Sequence, residues 1–122
     1  MLRYLLDEQI SPVVAEGVHR KEPKIQIASM HRWRDGEFLG RRDVDILRAA
    51  PAAHLTLVTY DSRTIPVILR NWAELAIPHA GVIFISERAI PNRRFGELVG
   101  ALIRYWHVEG KTDWRNRITY LI

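Results

Sequence analysis

The sequence contains no cysteine, and this absence excludes several kinds of site. Neither a disulfide framework nor a thiolate-bound zinc or iron–sulfur centre can form without it. Any metal ion must be held by carboxylate, imidazole or water. The five histidines show no spacing typical of metal ligands and receive no role.

Long apolar runs are also missing. The longest stretches without Asp, Glu, Lys or Arg are residues 49–60 and 75–86, each of 12 residues, whereas a membrane-spanning helix needs roughly 20. Arg3, Asp7 and Glu8 interrupt the segment where a secretory signal would place its apolar run. We therefore expect no membrane span and a cytoplasmic protein.

Glycine-rich phosphate-binding motifs are absent, and lysine is scarce. Neither GxGxxG nor GxxxxGK[ST] occurs, which argues against dinucleotide or ATP binding, and no GxSxG elbow is present. Only three of the 18 basic residues are lysines, and the net charge is +4. Arginine grips phosphate and stacks on bases, so this composition is compatible with a nucleic-acid partner. On charge alone, an arginine-rich solvated surface is the simpler explanation.

The apolar pattern predicts one α/β domain over residues 1–122, because strand-like runs alternate with amphipathic helices. Strand-like runs without clean polar alternation are typical of a parallel sheet covered on both faces, here a three-layer α/β/α sandwich with right-handed crossovers. Val13 and Phe95 are placed on apolar helix faces, and residues 31–42 are interpreted as a polar loop. The predicted strands are Leu2–Leu6, Lys24–Met30, Leu55–Thr59, Gly81–Ser86 and Arg117–Ile122, and the predicted helices are Ile10–His19, Asp43–Ala50, Thr64–Trp72 and Phe95–Trp106.

Acidic residues follow two of these strands and open one helix. Asp7 and Glu8 follow the first strand, Asp61 follows the Leu55–Thr59 strand, and Asp43 begins a helix. Functional sites of such sheets lie at the carboxyl ends of the strands, so these side chains are expected at one rim. Clustered carboxylates repel one another unless a cation lies among them, and hard oxygen ligands favour Mg²⁺ or Mn²⁺.

Each acid also has a simpler interpretation. Asp43 would cap its helix, Asp61 would shape a turn, and the Asp7–Glu8 pair would be the polar end of a strand. The separate explanations would need three coincidences to bring these acids to one rim, so a shared site is favoured. Helical geometry assigns Asp43 to this site and turns Asp45 toward the surface.

A metal cluster of this kind would hydrolyse a phosphodiester without a nucleophilic side chain, since bound ions activate water and absorb developing charge. The hydroxyl of Thr59 would orient a carboxylate or a water, although a strand threonine needs no function. The Arg32-Trp33-Arg34 segment is typical of loops that hold single-stranded bases. An equally good interpretation places Trp33 in the core.

Five segments, in their order along the chain, resemble the small bacterial PIN-like proteins. The openings of those proteins read like LLDENLSP, and a T-x-D-x-D-F segment lies in mid-chain. The resemblance implies a PIN-like fold and metal-dependent ribonuclease activity, often as the toxin of a toxin–antitoxin pair. It is carried by LLDEQISP (5–12), RRDVDILRAA (41–50), LTLVTYD (55–61), GVIFIS (81–86) and DWRNRITYLI (113–122).

The same resemblance assigns roles to single residues. Asp7 matches the acid of the first strand, Asp43 the helix acid and Asp61 the first acid of T-x-D-x-D-F, so all three are expected as catalytic metal ligands. Glu8 matches the neighbouring glutamate, an auxiliary acid. Arg63 replaces the second Asp of T-x-D-x-D-F, no Phe follows it, and Gln replaces Asn after Glu8. A cation in place of an acid should weaken a second metal site and leave a one-metal, slow or inactive enzyme.

The predicted function is a Mg²⁺- or Mn²⁺-dependent endoribonuclease acting on single-stranded or structured RNA, with Arg32, Trp33, Arg34 and Arg63 in contact with the RNA. A small antitoxin protein is the expected partner, and the oligomeric state is open between monomer and homo-dimer. The alternative is a catalytically impaired PIN-like module that binds RNA or a protein. A receiver-like phosphoacceptor ranks lower, because the late lysine that such a domain needs would have to be Lys111, in a polar loop.

Overall fold

The computed structural model describes residues 1–121 and contains a parallel sheet flanked by helices on both faces. The final residue of the predicted last strand, Ile122, lies outside the described residues. Within 1–121 the strands are β1 (Tyr4–Leu6), β2 (Ile27–Ser29), β3 (Thr56–Thr59), β4 (Val82–Ile85) and β5 (Ile118–Leu121), and the α-helices are α1 (Pro12–Lys21), α2 (Asp43–Ala49), α3 (Thr64–Glu74) and α4 (Phe95–Glu109).

The sheet order is β2-β1-β3-β4-β5, and every neighbouring pair is parallel. β1, β3 and β4 are buried along their whole length, as expected for strands covered on both faces. One apolar core joins β1, β3 and β4 to α1 and α4, and a second core on the other face joins them to α2 and α3. The predicted three-layer α/β/α sandwich with a parallel sheet is thereby confirmed.

Two side chains assigned to apolar helix faces are exposed instead. Val13 is 48% exposed and Phe95 is 38% exposed. Each lies in the first turn of its helix, at the rim of the layer, where solvent reaches the side chain. The prediction that both pack in the core is therefore wrong.

Residues 31–42, predicted as a polar loop, contain a 3₁₀ turn and one buried apolar side chain. A 3₁₀ turn at Trp33–Gly36 holds Arg34 and Asp35 in left-handed backbone conformations, and Phe38 is buried. A second 3₁₀ turn at Ala50–Ala53 extends the chain beyond the end of α2. Within residues 1–121 no helix is long and apolar enough to cross a membrane, as predicted.

The order of the strands creates a crevice at one place in the sheet. The chain leaves β1 to form β2 on one side, whereas β3, β4 and β5 follow one another on the other side. Helices from the carboxyl ends of β1 and β3 therefore depart to opposite faces. Ligand sites of open parallel sheets lie at such switch points.

Candidate active site

Asp7 lies at this crevice, directly after β1, and is only 4% exposed. Its Oδ2 accepts a hydrogen bond of 2.6 Å from the hydroxyl of Thr59 in the adjacent strand β3. Its Oδ1 accepts one of 2.8 Å from the backbone N–H of Glu8. The carboxylate is therefore held at both oxygens, and the structure contains the orienting contact expected of Thr59.

The Thr59 hydroxyl also joins the two strand ends. Its oxygen accepts a hydrogen bond of 3.0 Å from the backbone N–H of Asp61. Oδ1 of Asp61 in turn accepts the backbone N–H groups of Arg63 (2.8 Å) and Thr64 (2.9 Å), which shapes the turn into α3. The simple interpretation of Asp61 is thus correct for Oδ1, while Oδ2 takes no part in these two bonds.

Asp43 comes to the same place from a third element. It is the first residue of α2, whose N-cap is Arg42, so Asp43 is not the cap that the simpler interpretation made of it. Its carboxyl group lies close enough to Asp7 and Asp61 for the charges of both to act on it. Asp45 points away and forms ion pairs with Arg42 (3.5 Å) and Arg41 (3.9 Å). The two aspartates of α2 therefore have different neighbours, and the assignment of Asp43 to a functional site stays a prediction.

Electrostatics distinguish the three aspartates. Burial, together with the charges of Asp7 and Asp61, raises the pKa of Asp43 to about 6. Burial also raises the pKa of Asp7, although the hydrogen bonds from Thr59 and from the backbone of Glu8 act to lower it. At Asp61 partial burial is outweighed by backbone N–H groups, so the pKa is lowered. Burial and mutual repulsion therefore act against ionisation of Asp7 and Asp43, whereas Asp61 ionises more readily than usual.

Glu8 is half-buried beside Asp7 and is held through its backbone. Nε2 of His31 donates to the carbonyl oxygen of Glu8 over 2.7 Å, and the backbone N–H of His31 donates to the hydroxyl of Ser29 over 3.2 Å. No sequence pattern predicts this contact, because the two residues are 23 positions apart and the interaction uses a backbone oxygen. We call Asp7, Glu8, Asp43 and Asp61 the carboxylate cluster.

The carboxylate cluster offers only oxygen donors to a metal ion. Within residues 1–121 no three side chains of His, Cys, Asp or Glu are already arranged around a common ion position. Mg²⁺ is commonly bound by one or two carboxylates, with water and substrate phosphate completing its shell. The Asp43–Asp61 pair offers hard oxygen donors whose repulsion a divalent cation would relieve. The residues fit one such ion on two carboxylates, and ligation by Asp7 as well stays a prediction.

The residues expected to bind RNA occupy different settings. The Trp33 ring is half-buried and stacks on Phe38 with 5.0 Å between centroids, which agrees with its interpretation as a core residue. Arg34 lies 6.0 Å from the centroid of the Trp33 ring. Arg32 forms an ion pair of 2.8 Å with Glu16 of α1. Arg63 is exposed and lies directly beyond Asp61.

Comparisons with protein-family models, with curated proteins and with solved structures return no match for this chain.

Proposed function

We propose that this protein is a Mg²⁺- or Mn²⁺-dependent endoribonuclease of the PIN-like type. The supporting observation is the network in which Thr59 joins Asp7 to the backbone of Asp61, with Asp43 close enough for the charges of both acids to raise its pKa, at the crevice between β1 and β3. Three segments far apart in the sequence contribute to it. A helix cap or a turn would need only one of them.

Each side chain has a distinct task in this proposal. Asp43 and Asp61 would hold the cation, which requires both carboxyl groups to be ionised. Asp7, fixed by Thr59 and by the N–H of Glu8, adds a third negative charge and a further ligand oxygen. The Glu8 side chain positions the attacking water. A divalent cation supplies a water of lowered pKa and neutralises the charge that develops on the phosphodiester.

The proposal includes one ion rather than two. Arg63 occupies the position where the T-x-D-x-D-F pattern has a second acid, and its guanidinium adds positive charge at the rim. That charge disfavours a second cation and favours the phosphate of an RNA chain. We therefore assign Arg63 to substrate binding, together with Arg32, Trp33 and Arg34.

The resemblance to PIN-like proteins extends the proposal to the cell. We infer a toxin that cleaves cytoplasmic RNA and is neutralised by a small antitoxin protein. A short upstream reading frame that encodes a DNA-binding partner would support this role.

Cleavage of single-stranded RNA tests the enzymatic proposal. We expect Mn²⁺-dependent cleavage that falls at least about 100-fold in Asp43→Asn, since the variant loses a ligand oxygen and a charge. Asp45→Asn is the matched control, because the same change is made two residues away in an ion pair outside the cluster. Equal cleavage by the wild type and by Asp43→Asn would identify a contaminating nuclease and refute the proposal.

A second candidate function is binding without hydrolysis. It is favoured by Arg63 and by the lack, within the described residues 1–121, of a ready three-ligand arrangement. Such a module would bind RNA with an affinity that falls steeply with salt and would cleave nothing, with or without Mn²⁺. Binding and cleavage measured on one labelled RNA separate the two functions.

A further inference from the structure

A cavity lies at the amino ends of the parallel strands, at the opposite side of the sheet from the carboxylate cluster. Its volume is about 900 Å³, within the range of small-molecule sites. Thr56 and Thr59 are the two ends of β3, so the cavity and the cluster are separated by about 10 Å along this strand. We call it the amino-edge cleft, lined among others by Leu2, Arg3, Thr56, Ala80, Trp106 and Trp114.

Two tryptophans give the amino-edge cleft an aromatic wall. The indole N–H of Trp106 donates to the carbonyl oxygen of Leu2, and that of Trp114 donates to the carbonyl oxygen of Glu109, each over 3.1 Å. Since both polar atoms are satisfied within the protein, the partly buried Trp106 ring offers apolar surface to a ligand, while Trp114, which is 6% exposed, forms the floor of the cleft. Lys24 lies 5.9 Å from the centroid of the Trp106 ring, at the mouth of the cleft, where it also forms a long, exposed ion pair of 3.7 Å with Glu22.

Arg3 supplies the cleft with a positioned positive charge. Its guanidinium donates to the side chain of Gln26 and, over 3.3 Å, to the carbonyl oxygen of Ala53. Among residues 1–121 no carboxylate lies within ion-pair distance of Arg3, whereas Arg115 is paired with Asp113 at 2.9 Å. A half-buried guanidinium held in place without a counter-ion is suited to an oxyanion.

We propose that the amino-edge cleft binds a small aromatic anion, whose ring packs against Trp106 and Trp114 and whose carboxylate or phosphate is bound by Arg3 and Lys24. Both a nucleoside monophosphate and an aryl carboxylate have this chemistry. The site is separate from the carboxylate cluster, so binding there needs neither Mn²⁺ nor Asp43.

Heteronuclear NMR of the four indole N–H groups tests the proposal directly. AMP and 2-naphthoate are titrated separately into the full chain, with adenosine and inorganic phosphate as probes that carry only the ring or only the anion. We expect saturable shifts of the Trp106 and Trp114 signals, while those of Trp33 and Trp72, which belong to the opposite core, stay in place. If only AMP, or only 2-naphthoate, gives these shifts, that result identifies whether the anion is a phosphate or a carboxylate.

Substitutions then test the role of charge. Arg3→Gln should weaken binding by about tenfold or more, and Arg70→Gln, on the exposed side of α3, should leave it unchanged. If Arg3→Gln fails to fold, Lys24→Gln at an exposed position replaces it and should weaken binding severalfold. The proposal is overturned if no probe shifts Trp106 or Trp114 up to about 10 mM, or if adenosine binds as tightly as AMP.

Discussion

Thr59 is the residue on which the geometry of the carboxylate cluster depends most. Its hydroxyl donates to Asp7 and accepts from the backbone N–H of Asp61, and the side chain is fully buried. The hydroxyl of Thr59 therefore contacts both Asp7, which follows β1, and Asp61, which follows β3. A valine has the same shape but offers neither bond, so the carboxylate of Asp7 would lose a partner while still buried.

We therefore expect Thr59→Val to lower both stability and activity. The free energy of unfolding should fall by about 1–3 kcal/mol in urea denaturation, and RNA cleavage by about tenfold or more. Thr56→Val is the matched control in the same strand, because Thr56 is equally buried and donates to the carbonyl oxygen of Ala80 instead. Thr56→Val should lose stability and retain cleavage. An equal loss of cleavage in both variants would contradict the positioning role of Thr59.

Asp43 should reduce stability at neutral pH. Its pKa is raised from 3.8 to about 6 on folding, so the folded state binds the proton more tightly than the unfolded state between these values. Linkage then requires the free energy of unfolding to fall as the pH rises through that range. Asp43→Asn should remove this pH dependence and stabilise the protein at pH 7 by about 1 kcal/mol, since solvent screens a half-exposed group.

Thermal unfolding at pH 4 and at pH 7 measures this effect. Asp45→Asn, which loses ion pairs with Arg41 and Arg42, should give no stabilisation at either pH. A wild-type protein whose stability does not decline between pH 4 and pH 7 relative to Asp43→Asn would show that Asp43 is not crowded by the other acids.

At the scale of secondary-structure elements, one close approach fixes the start of β4. Gly81 has a φ of +98°, and a Cβ placed on it would lie 2.5 Å from the carbonyl oxygen of Trp114. Gly81→Ala should therefore lower the free energy of unfolding by about 3 kcal/mol, through backbone strain and overpacking. Gly96→Ala in α4 meets nothing within 4 Å and should stabilise by about 0.5–1 kcal/mol. Chemical denaturation of both variants is the check, and a mild Gly81→Ala would refute this view of the turn.

The elements also show how far the sequence alone can lead. Short apolar runs predicted β3 and β4 correctly, because burial on both faces leaves a plain pattern, and helical spacing predicted α4. Val13 and Phe95 follow the same helical spacing but lie at the rim, and spacing does not record where a layer ends. Phe38 is buried within a polar stretch, where a single apolar residue has no period to reveal it.

The candidate site could likewise be predicted only in part from the sequence. Positions after strands predicted Asp7 and Asp61, and helical geometry separated Asp43 from Asp45. The contact of His31 with the backbone of Glu8 depends on tertiary structure and uses an atom common to all residues. The amino-edge cleft was missed because its walls come from chain segments that carry no shared motif.

At the scale of the whole molecule, the fold places two different environments at the two ends of the parallel strands. The carboxylate cluster gathers negative charge at the carboxyl ends of β1 and β3, and the amino-edge cleft presents Arg3 at their amino ends. Three buried strands separate the two environments. Occupation of one should therefore be measurable without occupation of the other.

The central claim is that Asp43 and Asp61, which come from different elements and lie beside Asp7, share one divalent cation, and calorimetric titration with Mn²⁺ tests it most directly. We predict saturable binding of about one ion per chain, accompanied by proton release below pH 7 because Asp43 must ionise. Asp61→Asn and Asp43→Asn should abolish the binding, and Asp45→Asn should preserve it. Absence of saturable binding to the wild type, or equal binding to Asp43→Asn, would contradict the account.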